Sequence, residues 1–242
     1  MSTYRLVWSD EFDYEGRPDP TKWNYDIGGH GFGNREDQYY TDRIENAYVK
    51  DGMLHIRALK ENYGTHRYTS ARLTTYQRQS WQYGKFLIRA KLPKGNGTWP
   101  AIWMLGDSIK TGTRWPLCGE IDIMEHVGRD QDMIHFSLHS ETYNHVKRTQ
   151  KTAYFRIPNV SDTFHEYGIE WDPTSIAFFV DGIQYAKFTK EATDTVKEWP
   201  FDQSFYLILN IAIGGTWGGE IDDSIFPQEM LIDYVRVYQK TY

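Results

Sequence analysis

The sequence of 242 residues predicts an all-β sandwich of jelly-roll type, folded as a single domain over residues 1–242. Three observations lead there. Asp-Gly pairs stand between β-prone runs at Asp51-Gly52 and Asp181-Gly182, and Asp-Gly suits the positive φ that a tight hairpin turn needs at both central positions. Runs rich in β-branched and aromatic residues recur along the chain, with Pro and Gly between them. Only residues 190–198 read as a short helix, so strands must supply nearly all of the fold.

In chain order, the first hairpin covers 49–56, with Asp51-Gly52 as its turn. Aromatic and β-branched enrichment then marks strands at 81–92, 99–105, 120–127, 133–139 and 167–171. The second hairpin spans 179–185 around Asp181-Gly182, and two more strands follow at 205–213 and 230–238. Turns fall at 93–97 and in the glycine-rich 214–219. There is no internal repeat, low-complexity tract or linker. A chain of this length buries a core without staples, and the single cysteine, Cys118, excludes an internal disulfide.

Composition narrows the partner. The chain holds 18 Tyr, 12 Phe and 9 Trp, residues that suit a groove apolar on its faces and polar at its edges. A net charge of −6, spread along the sequence, argues against nucleic acid, whose phosphates need a basic surface. It fits a neutral ligand such as a polysaccharide. No stretch approaches a membrane span, and the first residues show no apolar leader.

The most informative segment is Gly119-Glu-Ile-Asp-Ile-Met-Glu125. Side chains alternate faces along a strand, so Glu120 and Asp122 share one face while Ile121 and Ile123 pack behind. Strict alternation would send Glu125 to the apolar side. One extra residue near Met124, a β-bulge, returns it to the acidic face. A solvated acidic edge is the plain reading of such a cluster. Three acids set between large aliphatics, near Trp99, Trp103 and Trp115, weigh against it. Retaining glycosidases hold two carboxyl groups roughly 5–5.5 Å apart, one as nucleophile and one as acid/base. At that separation two negative charges repel by roughly 3 kcal/mol at an effective dielectric near 20. That is about two pKa units, enough to keep one group protonated near neutral pH.

The same segment resembles the Glu-x-Asp-x-x-Glu signature of glycoside hydrolase family 16 in its bulged form. The resemblance runs through Leu6-Val-Trp-Ser-Asp-Glu-Phe12, Gly33-Asn-Arg-Glu-Asp-Gln-Tyr-Tyr-Thr41, Tyr68-Thr-Ser-Ala-Arg-Leu73, Trp99-Pro-Ala-Ile-Trp-Met-Leu105, Asn210-Ile-Ala-Ile-Gly-Gly-Thr-Trp217 and Ile232-Asp-Tyr-Val-Arg-Val-Tyr238. It implies a concanavalin A-like jelly roll whose concave sheet forms the substrate cleft, with Glu120 as nucleophile, Glu125 as acid/base and Asp122 as assisting acid. The bulged signature and Trp115-Pro-Leu-Cys-Gly-Glu120 are similar to laminarinases, implying endo-hydrolysis of β-1,3-glucan. Arg35-Glu-Asp37 departs from the family pattern and bears on fine subsite preference.

Trp99 and Trp103, four apart on one strand, face the same way. The resemblance implies that Trp103 underlies the sugar beside the scissile bond, that Trp99 and Trp115 line nearby subsites, and that Asn34 and Arg72 bind hydroxyls on the non-reducing side. Trp217, flanked by glycines, is better placed for a ligand than for a core. His135 and His139 share a face; two histidines do not make a zinc site, and the resemblance puts His139 near Glu125. It further implies a structural calcium at Glu11, the Gly52 carbonyl and Asp233, away from the cleft, and no catalytic cofactor. The expected protein is a monomer acting on a β-glucan polysaccharide or oligosaccharide, without nucleic-acid or membrane partners. A polymeric substrate implies an extracellular setting, reached through a leader outside this chain, or else an intracellular form. A mixed-linkage β-1,3-1,4-glucanase, a galactan hydrolase, a transglycosylase and a glucan-binding lectin are the alternatives.

Overall fold

The computed structural model describes residues 3–241. Its strands in chain order begin with β1 (Thr3–Asp10), β2 (Asn24–Tyr25), β3 (Gln38–Tyr40), β4 (Ala47–Lys50), β5 (Met53–Tyr63), β6 (His66–Ser70), β7 (Arg72–Thr74) and β8 (Gly84–Lys91). They continue with β9 (Thr98–Gly106), β10 (Glu120–Glu125), β11 (Met133–His139), β12 (Lys151–Arg156) and β13 (His165–Trp171). β14 (Ser175–Val180), β15 (Ile183–Thr189), β16 (Phe205–Ile213) and β17 (Gln228–Thr241) complete the set.

Two sheets form. One runs β12-β11-β10-β9-β16-β7-β2; the other runs β15-β14-β13-β8-β17-β5-β6-β3, with β1 on β17 and β4 on β5. This is the β-sandwich jelly roll that the strand pattern predicts. Alternation sets the faces: Phe86, Ile88 and Ala90 of β8 are buried while their neighbours are half-exposed. They meet Ile102 and Met104 of β9, Ile121 and Ile123 of β10, and Ile134, Phe136 and Leu138 of β11 in a common core. β16 is buried at every position, because its Leu207, Leu209 and Ile211 face the core and its other face lies beneath the cleft.

Both hairpin turns take the conformation their Asp-Gly pairs favour, with φ of 54° and 75° at Asp51-Gly52 and 51° and 77° at Asp181-Gly182. The helix expected at 190–198 does not form. Glu198 accepts from the Thr195 hydroxyl and amide, and the Trp199 amide reaches the Thr195 carbonyl at 2.8 Å, closing one turn. Trp199 is then drawn into the core, and Pro200 cannot continue a helix. A single helical turn, α1 (Gly215–Gly218), forms instead in the glycine-rich segment read as a loop.

Candidate active site

The β10 ladders locate the extra residue. Against β11, Glu120, Ile121 and Asp122 pair with His139, Leu138 and Ser137, and pairing resumes only at Glu125 opposite His135. Against β9, Asp122 pairs with Trp103 and the register then skips to Met124 with Ile102. Ile123 and Met124 are both fully buried in the core. Two consecutive side chains on the inner face are what a bulge allows, and they return Glu125 to the face of Glu120 and Asp122.

Asp122 lies between the two glutamates, within hydrogen-bond reach of both. His139 Nε2 stands 3.2 Å from Glu120 and 3.1 Å from Asp122. Trp99 Nε1 donates to Glu125 Oε1 at 3.2 Å. Burial pushes Glu120 well above the usual carboxylate range, Asp122 adds to that push, and His139 and Arg72 oppose it. Burial and then Glu125 push Asp122 up. Glu125 is raised to about 8, first by burial and then by Glu120, with the Trp99 hydrogen bond opposing. Like charges this close cannot all ionise, so the trio holds a proton at neutral pH. The cationic neighbours that pull back are at Glu120. At Glu125 the Trp99 hydrogen bond is what pulls back first.

His139 corrects one expectation: it contacts Glu120 and Asp122, not Glu125. The antiparallel register is the cause, since His139 lies opposite Glu120 and His135 opposite Glu125. Glu120, Asp122 and His139 also offer ligand atoms within 4.8 Å of one another. The contacts of the His139 imidazole with the Glu120 and Asp122 carboxyls account for that closeness without an ion.

The predicted platform residues gather around the trio. Trp103 donates Nε1 to Asn210 at 2.7 Å and carries the Arg72 guanidinium 4.8 Å over its ring. Arg72 is also 4.9 Å over Phe32 and paired with Asp26 at 2.9 Å, so it is clamped rather than a free surface charge. Trp115 stacks against His139 and His145 at 5.9 and 5.0 Å, its Nε1 buried without a protein partner. Trp217, on α1, meets Trp99 at 5.6 Å and His135 at 4.7 Å.

Asn34 donates its amide to Glu36 at 3.0 Å, and its carbonyl accepts from Thr216. That bond ties the loop before β3 to α1. Gly214, at φ 67°, has no room for a Cβ there because Asp37 Oδ2 would lie 2.0 Å from it.

Glu36 itself was missed by sequence reasoning. It is buried, raised above its usual range by burial, and accepts from Asn34, Gln38 and Tyr40. Tyr40 in turn accepts from Asn210, which holds Trp103. A buried polar chain thus runs from the Asn34 loop to the cleft floor. The signal was available as Glu36-x-Gln38-x-Tyr40, three polar-tipped residues at strand spacing.

The proposed cation clasp is only partly formed by side chains. The Glu11 carboxylate accepts from Arg236 at 2.8 Å and that of Asp233 from Arg89 at 2.8 Å, so both carboxylates are already neutralised. Asp233 sits where β17 changes register against β8 and where its other partner changes from β5 to β1. Leu54 of β5, just after the Gly52 turn, and Asp10 at the end of β1 pair with Ile232 and Val235 on either side of it.

Comparison with known proteins agrees with this geometry. A family model described as glycosyl hydrolases family 16 matches residues 29–236. A β-glucanase of Rhodothermus marinus is 54% identical over 98% of this chain and 85% of its own length. The crystal structure of the laminarinase from Rhodothermus marinus superposes with a TM-score of 0.97 at 52% identity, covering 100% of both chains. A non-specific endo-β-1,3(4)-glucanase of family 16 superposes at 0.93 with 44% identity, over 98% of this chain and 92% of that one. The chain belongs to glycosyl hydrolases family 16.

Proposed function

We propose that the chain is a retaining endo-β-1,3-glucanase of laminarinase type. The bulge at Ile123-Met124 carries this reading, because it sets Glu120, Asp122 and Glu125 side by side on the cleft face beside Trp99 and Trp103. Glu125, raised to about 8 and hydrogen-bonded by Trp99, protonates the glycosidic oxygen. Glu120, flanked by His139, attacks the anomeric carbon and forms a glycosyl-enzyme. Asp122 shares a proton within the trio as charge moves between the glutamates. Glu125, now the base, takes a proton from water, which releases the sugar with its configuration retained. Arg72, Asn34, Trp103 and Trp115 hold the sugars on and beside the cleft floor. The test is Glu120→Ser: laminarin hydrolysis falls by at least about 1,000-fold, and persistence near the wild-type rate sinks the assignment.

Cleavage of mixed-linkage β-1,3-1,4-glucan is the second reading, supported by the likeness to a non-specific endo-β-1,3(4)-glucanase. Rates on laminarin and lichenan separate the two. A sulfated galactan needs free cations in the cleft, whereas Arg72 is taken by Asp26.

A calcium ion at Glu11, the Gly52 carbonyl and Asp233 would clasp the first and last strands. It supports stability rather than chemistry, and equal melting temperatures in calcium and in chelator would remove it from the account.

A further inference from the structure

One register row crosses the cleft face on both sides of Glu125. Toward β7 it reads Glu125, Ala101, Asn210, Arg72. Toward the sheet edge it reads Glu125, His135, Tyr154. The first half carries the residues assigned to the non-reducing side of the substrate. The second half has no assigned function. It is built for one: Tyr154 is 61% exposed on the edge strand β12, two strand spacings or roughly 10 Å from Glu125.

A single exposed tyrosine needs no explanation. This one ends a continuous aromatic row. Its ring lies 5.4 Å from His135 at a 35° tilt, His135 packs on Trp217, and Trp217 packs on Trp99, which binds the acid/base. Burial holds His135 below its usual range, so near neutral pH the ring is uncharged and suits an apolar floor. Two register pairs along, on the same face, the exposed Thr152 bonds its hydroxyl to that of the buried Ser137 at 2.8 Å and to the Phe136 carbonyl at 3.2 Å, which fixes a polar edge. A flat aromatic surface beside hydroxyls matches a pyranose ring, with its C–H faces and equatorial hydroxyls.

We infer that Tyr154, with the Ser137–Thr152 pair, forms a binding site for a β-glucosyl unit of the leaving half of the chain, beyond the first sugar after the cleaved bond. The inference rests on the proposed glucanase reading. The site tightens the grip on long substrates and leaves short ones unaffected.

The test compares laminarihexaose with an aryl β-laminaribioside, whose aryl group reaches only the first leaving-side position. In Tyr154→Ala, the ratio of kcat/KM on the hexaose to that on the aryl glycoside falls about 5–10-fold, the scale of one aromatic contact. Tyr154→Phe keeps the wild-type ratio, since the ring face makes the contact. An unchanged ratio in Tyr154→Ala, with a wild-type melting temperature, overturns the inference. So does an equal loss on both substrates. A wild-type enzyme that cleaves neither substrate overturns the glucanase reading first and this inference with it.

Discussion

His139 faces Glu120 across the β10–β11 ladder, its Nε2 3.2 Å from the glutamate and 3.1 Å from Asp122. The imidazole opposes the rise that burial and Asp122 impose on Glu120. Replacing it by Gln removes that pull, so Glu120 holds its proton to higher pH. A nucleophile must be ionised to attack. The acidic limb of kcat/KM in His139→Gln therefore moves up by about one unit. A limb that stays in place would show that His139 does not tune Glu120.

In the proposed mechanism Glu125 acts with its proton on, and burial raises its pKa to about 8. Activity on laminarin therefore declines as pH rises through that value, and a rate still climbing at pH 9.5 would contradict the assignment. The same shift is a stability statement. A carboxyl whose folded pKa lies above its unfolded one binds more protons when folded. Its contribution is fully present below the unfolded value near 4.5 and is lost as pH rises through about 8. Glu125→Gln should accordingly melt higher than wild type at pH 8 and gain little at pH 4.5, at roughly 2–4 °C per kcal/mol recovered. Equal gains at both pH values would mean that ionisation is not the cause.

Met124 is the bulge residue and is fully buried. Met124→Ala leaves a cavity costing about 2–5 kcal/mol. Calorimetry should show a lower melting temperature, while the pH limbs of the remaining activity stay near wild type because the carboxyl positions follow the backbone. Limbs displaced as far as in His139→Gln would mean that the side chain, rather than the bulge, sets the geometry.

Much of this was legible in the chain. The odd spacing from Glu120 to Glu125 required a bulge, and Ile123 and Met124 supplied two apolar residues to fill the inner face. Asp51-Gly52 and Asp181-Gly182 fixed two turns by backbone preference alone. What was not legible depended on register between strands far apart in sequence. The same face carries His135 and His139, and only the β10–β11 pairing decides which of them meets Glu120. Glu36 stood in the charged triplet Arg35-Glu-Asp37 with nothing in the local sequence to show that Asn34, Gln38 and Tyr40 close around it. The turn at Thr195–Trp199 failed to propagate because Trp199 found the core and Pro200 followed.

The central claim is that Glu120 becomes covalently attached to the sugar while Glu125 moves the proton. A 2-deoxy-2-fluoro-β-laminaribiosyl fluoride slows release of the glycosyl-enzyme, so peptide mass spectrometry can locate the attachment. One label per chain is expected, on Glu120. A label on Glu125 or Asp122, or turnover with inverted product and no labelled intermediate, would contradict it.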